Sequence, residues 1–437
     1  MGMAFLEEMI KNSDTKEAII VDKRSGVGGH WRDSYDFVTL QCNAPVYGLN
    51  SSELAPDGPE LPSKYQILEH FERGLERLEK TGRVKFIGQV KYVGENADGS
   101  YKLESTLVDG LEYDVMVKDK LVDATRTENH VPATTPPKYK IAEGMTVIPV
   151  NGLAKLPAGP WSEYYVVGAG KTGMDATLYL LKRQVPAEKI HMILPNDCWF
   201  LDRETLNVPG NFTGKLTKVF NDDSLTDVTS HMHALESEGL ISRFSSEIEP
   251  TRFRGAVVAK AEVERMRSVN IVRTGRIESI EKDKIVFVNG ETRPVSASTL
   301  FIDCSSLSTL FDKAKPIFEK KQINLQYTTM PPNPGMAAST IAALDLKYPD
   351  EPDKKNEIFP VLNVPQTSAE LCKALLVDMK ARENINEELG FWWQQSRRNF
   401  MVHHLSMETV NKMIKGENKE QKQKMKETLE RLSKMEV

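Results

Sequence analysis

The chain has 437 residues, a formal net charge of −5, 40% hydrophobic and 27% charged residues. That length exceeds a single hydrophobic core and predicts two or three domains of ordinary globular composition. Scattered basic residues argue against a nucleic-acid surface. No apolar run approaches the roughly 20 residues that span a bilayer, and no secretory signal pattern opens the chain, so a cytoplasmic protein is expected.

Taken in order, the chain opens with a helical run over residues 3–11, in which Met3, Leu6, Met9 and Ile10 share an apolar face. The segment AIIVD, residues 18–22, reads as a short buried strand ending in Asp22. A glycine loop follows, GVGGHW over residues 26–31, with Tyr35 beyond it, and then a Pro- and Gly-rich stretch over 45–62. A helix is predicted over 64–80. Runs at 84–93, 101–108 and 113–117 read as strands of a small inserted sheet, separated by the turn signals at 96–99 and Asp109-Gly110. Residues 121–125 read as a core strand, and a Pro-rich crossover at 132–137 leads to a second domain.

The most informative stretch is residues 164–175, YYVVGAGKTGMD. An apolar strand ending in Val166 and Val167 runs into Gly168, Gly170 and Gly173 at G-x-G-x-x-G spacing, and a helix-compatible run follows. The first glycine permits a tight turn, the second lets the backbone approach a pyrophosphate, and the third lets helix and strand pack closely. Lys171 and Thr172 lie inside this fingerprint at the helix start. Strand, turn and helix in that order imply dinucleotide binding. The N-terminus then becomes legible, because Asp22 follows Gly2 at the offset of the acid that binds a ribose hydroxyl. Gly2 reads as the third glycine of a second fingerprint whose strand and first two glycines are absent. We therefore expect a shortened gene model, with about ten further residues before Met1.

Downstream, a strand at 190–194 leads to Asp197, which would repel a ribose 2′-phosphate, and to Arg203, which could bind one. A hairpin-like region spans 270–288. Residues 300–304 read as the strand returning to the first sheet. From residue 368 the chain is helical and amphipathic, with Trp392 and Trp393 near Arg397. The Lys-rich stretch 412–434 is balanced by Glu417, Glu420, Glu427 and Glu430, as in a solvated helix.

The Gly28-Gly29-x-Trp31 segment, together with the two fingerprints, resembles the flavin-containing monooxygenases and their relatives over about residues 1–310. The resemblance implies an α/β protein with two Rossmann-like dinucleotide-binding domains, an inserted small β-sheet and a helical C-terminal region. It implies FAD held by Gly2, Asp22, Gly28, Gly29 and Trp31, and NAD(P)H held by Gly168, Gly170, Lys171, Thr172, Gly173 and Arg203. The expected domains are 1–150 and 299–365 for FAD, 155–298 for NAD(P), and 366–437 helical. Three departures stand out. The first fingerprint is incomplete, the segment VIPVNGLAKLPAGPW lacks the family's phenylalanine-glycine-histidine signature, and Arg126 follows Ala124-Thr125 where an alanine-threonine-glycine turn is usual.

The expected function is an FAD-dependent oxidoreductase that uses NAD(P)H on a small-molecule substrate, in the manner of a monooxygenase. The alternative is a catalytically inactive dinucleotide-binding or regulatory protein that has lost flavin binding. No general acid or base is identifiable, and catalytic side chains are few where the cofactor carries the chemistry. Cys42, Cys198, Cys304 and Cys372 form no C-x-x-C pair and read as small apolar residues. His231, His233, His403 and His404 lack partners at ligand spacing, so no metal is expected.

Overall fold

A computed structural model describes residues 1–42, 44–126, 131–156, 159, 161–208, 210–305 and 314–399. The fold is α/β, built around several largely parallel sheets. The readings at His403, His404 and 412–434 lie outside the described residues. No helix among those described is long and apolar enough to cross a membrane.

One half is organised by a five-stranded, wholly parallel sheet. Its spatial order is Asn270–Val272, Ile190–Ile193, Glu163–Val167, Thr299–Asp303 and Thr146–Pro149. The inner strands bury continuous apolar runs, as parallel strands covered on both faces must. The helix Lys171–Lys182 carries the chain from Glu163–Val167 to Ile190–Ile193. Strand order reverses between Glu163–Val167 and Thr299–Asp303, the kind of switch point where open α/β sheets bind ligands. One face is covered by a four-stranded sheet of Lys140–Ile141, Ile277–Ile280, Lys284–Phe287 and Thr292–Pro294, through Tyr139, Ile285 and Phe287 packed on Tyr165 and Phe301.

Between Ile193 and Asn270 the chain builds a further unit. A three-stranded sheet of Cys198–Asp202, Ile241–Ser242 and Arg252–Val258 carries three helices, Arg203–Asn207, Asn211–Phe220 and Val228–Ser237. Its core, around Trp199, Phe220 and Phe253, also takes Leu371, Leu375 and Met379 from the long helix Ser368–Gln395.

The other half contains two separate parallel pairs, Ala18–Asp22 with Val84–Gly88 and Leu121–Asp123 with Gln322–Asn324. Helix Gly2–Lys11 is buried on nearly every side and packs against helix Pro334–Lys347, where Ser339 Oγ donates to the Ala4 carbonyl at 3.2 Å. Helix Lys64–Glu79 begins with a capping box between Ser63 and Gln66, which fixes its start where the sequence places it.

Three strand readings are corrected. The run at 84–93 is two strands, split at Gln89 with φ +57°. Its first half pairs in parallel with Ala18–Asp22, and Val90–Glu95 enters the antiparallel sheet with Tyr101–Ser105 and Glu112–Val115. Thr299–Asp303 does not return to the first sheet. Its five residues are all buried between Glu163–Val167 and Thr146–Pro149, and Gln322–Asn324 is the strand that goes back. Ala18–Asp22 is only half-buried, with Ile19 47% exposed, because it has one strand neighbour among the described residues.

Candidate functional site

The fingerprint turn divides its three glycines by physical role. Gly168 has φ +107°, and a Cβ there would stand 2.9 Å from the Cys304 carbonyl oxygen on the neighbouring strand end. A Cβ on Gly173 would lie 1.8 Å from the Gly168 carbonyl oxygen. Both positions are therefore needed by the fold itself. Gly170 differs: nothing lies within 4 Å of where its Cβ would be. Gly170 is also the N-cap of helix Lys171–Lys182, and no side chain caps that helix. The N–H groups of its first turn have no intrahelical acceptor. An uncapped helix N-terminus at a sheet switch point suits a phosphate.

Around this turn, Lys171 Nζ pairs with Asp175 Oδ1, and the Tyr35 hydroxyl donates to Asp175 Oδ2 at 2.6 Å. Burial first, and Asp175 second, push the Tyr35 phenol well above its ordinary pKa, so it stays a proton donor. The side chain of Thr172 also bonds Tyr35. Two residues on, Phe37 stacks on Tyr179 with ring centroids 4.0 Å apart and planes 19° apart. The loop after Trp31 thus seats on the fingerprint helix.

Arg203 is held by protein groups. Its guanidinium is buried, donating to the carbonyls of Gln41 at 3.0 Å and Val257 at 3.4 Å and pairing with Glu262 at 2.8 Å. Asp197 is held by Arg273 through two bonds of 2.8 and 3.1 Å, beyond the carboxyl ends of Ile190–Ile193 and Asn270–Val272. The guanidinium offsets the repulsion expected of Asp197 towards a phosphate.

In the other half, Asp22 Oδ1 accepts from the Arg24 N–H at 2.9 Å, and the Arg24 guanidinium reaches Asp33. Gly28, with φ +115°, packs against Leu68, where a Cβ would come within 2.4 Å of Cδ2. Gly29, with φ +56°, faces open space. Trp31 is buried, and its Nε1 donates to the Tyr47 hydroxyl at 2.9 Å. At the helix start, a Cβ on Gly2 would lie 3.3 Å from that of Ala124. Trp31 packs in a core with Leu40 and Ile67, while the apolar residues of helix Gly2–Lys11 pack in another, and Phe71 borders both.

Sequence reasoning missed the buried charges here. Glu7 accepts from the Asn50 N–H at 2.6 Å and the Ser51 N–H at 3.2 Å, while Glu8 accepts from Trp392 Nε1 at 2.7 Å. Arg397 binds the carbonyls of Pro45, Tyr47, Leu49 and Ser52, so one side chain organises the whole loop. Arg398 lies beneath it, fully buried. Two adjacent acids on an otherwise apolar helix were the available signal. Among the described residues, no group of three or more His, Cys, Asp and Glu is placed to hold a metal ion.

His70 gives this loop a pH dependence. Its Nε2 accepts from the Leu49 N–H at 2.9 Å, and burial first, then Arg397, pushes its pKa down to about 4. The unfolded chain therefore takes the proton first, near pH 6.5. Stability is fully present above that value and falls as the pH drops towards 4, by at most about 3 kcal/mol. Urea midpoints across this range should show the loss, and His70→Gln should flatten it. An unchanged slope in the variant would assign the loss to other groups.

No family model matches the chain. It is 31% identical over 428 residues to Uncharacterized protein Rv2000 of Mycobacterium tuberculosis, an alignment covering 92% of this chain and 76% of that protein. Among solved structures, it is similar to an oxidized steroid monooxygenase bound to NADP, with a TM-score of 0.53, 12% identity, and 81% and 84% of the two chains covered. It is also similar to OTEMO in complex with FAD and NADP, with a TM-score of 0.50, 11% identity, and 82% and 83% covered. At these identities the likeness is one of fold.

Proposed function

This chain belongs to the family of Uncharacterized protein Rv2000, and from that premise we propose that it is an FAD-dependent oxidoreductase whose flavin is reduced by NAD(P)H. The observation that carries this reading is Gly170. Two fingerprint glycines are consumed by packing, while the third adjoins open space at an uncapped helix end, which is useful only to something that approaches the backbone. The residues present also fit a second dinucleotide. Gly29, in the glycine loop after strand Ala18–Asp22, borders open space.

On this reading the first-turn N–H groups of Lys171, Thr172 and Gly173 would bind the NAD(P)H pyrophosphate. Asp175 would hold Lys171 in place, and Tyr35 would keep its proton and tie the flavin-side loop to the nucleotide helix. Asp22 would face the flavin's adenosine ribose. Bound flavin would supply a two-electron acceptor that passes its electrons to oxygen or to an organic acceptor. The purified chain is expected to be yellow, with a two-band flavin absorption, and to consume NAD(P)H in air. A colourless protein that ignores added FAD would overturn the flavin assignment.

The half-buried strand Ala18–Asp22 favours a second reading, a nucleotide-binding protein without turnover. Tight NAD(P)H binding with no oxidation in the presence of FAD would select it.

A further inference from the structure

We propose that the nicotinamide nucleotide of this protein is NADPH rather than NADH, and that Arg273 binds the 2′-phosphate that distinguishes them, with Asp197 as its positioning residue. The inference rests on the nucleotide reading above and names which of the two dinucleotides the same site takes.

The place follows from the sheet. In an open α/β sheet, ligands lie outside the carboxyl ends of the strands, and the adenosine ribose of a dinucleotide is met by side chains just past the strand that follows the fingerprint helix. That strand is Ile190–Ile193. Its end is joined to the end of its parallel neighbour Asn270–Val272, where the Leu194 N–H donates to the Val272 carbonyl at 2.9 Å. Asp197 stands shortly past the first of these ends, and Arg273 leaves the second directly.

Two opposite chemistries therefore meet at the ribose position. A carboxylate there would accept the 2′-hydroxyl of NADH, and a guanidinium would bind the 2′-phosphate of NADPH. The geometry decides between them. Arg273 Nε donates to Asp197 Oδ2 at 2.8 Å and Nη2 to Oδ1 at 3.1 Å, so both carboxylate oxygens are engaged side-on. The Asp197 side chain is only 7% exposed, against 33% for Arg273. The acid lies inside and the guanidinium outside. Asp197 fixes the plane of the group, and the opposite edge, Nη1 with the outer N–H of Nη2, is left for a ligand.

The surrounding charge favours an anion. Arg252 is the partner of Cys198, the residue after Asp197, in the parallel pairing of Cys198–Asp202 with Arg252–Val258. Arg254 acts on the same point: burial pushes the Cys198 thiol up to about 11, while Arg254 and Arg252 draw it down and Asp197 adds to the rise. With Arg273, three guanidinium groups stand against the carboxylate of Asp197 at this corner of the fold. A phosphate is stabilised by that excess of positive charge, whereas a neutral hydroxyl gains little from it.

Calorimetry on the full chain tests this with the oxidised nucleotides NADP⁺ and NAD⁺, which cannot reduce a flavin and so report binding alone. Wild type is expected to bind NADP⁺ about tenfold or more tightly than NAD⁺, the worth of a charge-assisted contact. Arg273→Met is expected to weaken NADP⁺ by about that factor and to leave NAD⁺ within about twofold of wild type. Circular dichroism and melting curves establish that each variant is folded. If Arg273→Met does not fold, the double variant Arg273→Gln with Asp197→Asn, which leaves no unpaired charge behind, takes its place with the same expectation. Equal affinities in wild type, or a preference for NAD⁺, would overturn the proposal and leave the nucleotide reading standing. A preference that survives the loss of Arg273, or an equal loss of both nucleotides, would overturn the role given to Arg273. Binding of neither nucleotide by wild type would overturn the nucleotide reading as well.

Discussion

Gly173→Ala is expected to destabilise the protein by about 3 kcal/mol or more, while its near neighbour Gly170→Ala leaves the fold within about 1 kcal/mol of wild type and weakens NAD(P)H binding about tenfold or more. The contrast follows from what each new methyl group meets. At Gly173 it meets the Gly168 carbonyl oxygen at 1.8 Å and the carbonyl carbon at 2.8 Å. These are backbone atoms and cannot rotate aside, so helix Lys171–Lys182 would have to lift from strand Glu163–Val167. At Gly170 the methyl group meets nothing within 4 Å, and the residue sits at φ −74°, which alanine adopts without strain. Its only cost falls on whatever approaches the turn. Melting curves and nucleotide titration on both variants separate the two effects. Unchanged nucleotide affinity in folded Gly170→Ala would mean that the turn serves the fold alone.

Asp345→Ala is expected to cost about 3–5 kcal/mol, the range for breaking a buried ion pair by removing one partner. Asp345 is 3% exposed and accepts from Lys355 Nζ at 2.5 Å and Lys120 Nζ at 2.8 Å. Lys355 is itself buried, over the Phe318 ring, and burial pushes its pKa below the ordinary lysine value despite the carboxylate beside it. Without Asp345 the ammonium would stay in the interior with the weak 3.4 Å contact to the Pro349 carbonyl. Three elements meet at this carboxylate: the entry to strand Leu121–Asp123, helix Pro334–Lys347 and helix Pro352–Ile358. Lys355→Met should be much milder, since it removes the desolvated cation and leaves Asp345 with Lys120. Denaturant unfolding of the two variants decides, and an Asp345→Ala protein as stable as wild type would defeat the argument.

How far the sequence carried depended on the range of the interactions involved. The strand–turn–helix at Gly168–Gly173 was legible because the close approach that demands Gly173, to the Gly168 carbonyl, is local, although Gly168 also answers to distant Cys304. Helix Lys64–Glu79 was legible for the same reason, through its Ser63 and Gln66 cap. Assigning strands to sheets was harder. Residues 299–303 and 322–324 are both short, and only tertiary pairing decides which joins Glu163–Val167 and which joins Leu121–Asp123. Charged residues misled most. Arg203 reads as an available cation, yet it is spent on Gln41, Val257 and Glu262. Arg398, which carried no signal in the sequence, is wholly enclosed. Burial of a charge leaves no local pattern, because its partners come from distant segments.

The contacts between Tyr35 and Asp175 and between Phe37 and Tyr179 bear on how this protein can be divided. A fragment cut to the contiguous run 163–303 would lose Thr146–Pro149 from one edge of its main sheet and the two aromatic rings that cover its fingerprint helix. It would expose Tyr179 and strip Asp175 of a bond exactly where the nucleotide is proposed to dock. The fingerprint helix is covered by residues from near the start of the chain, so the half that carries the motif is not a detachable module, and grafting or splitting schemes drawn from the motif alone would carry away an incomplete packing unit.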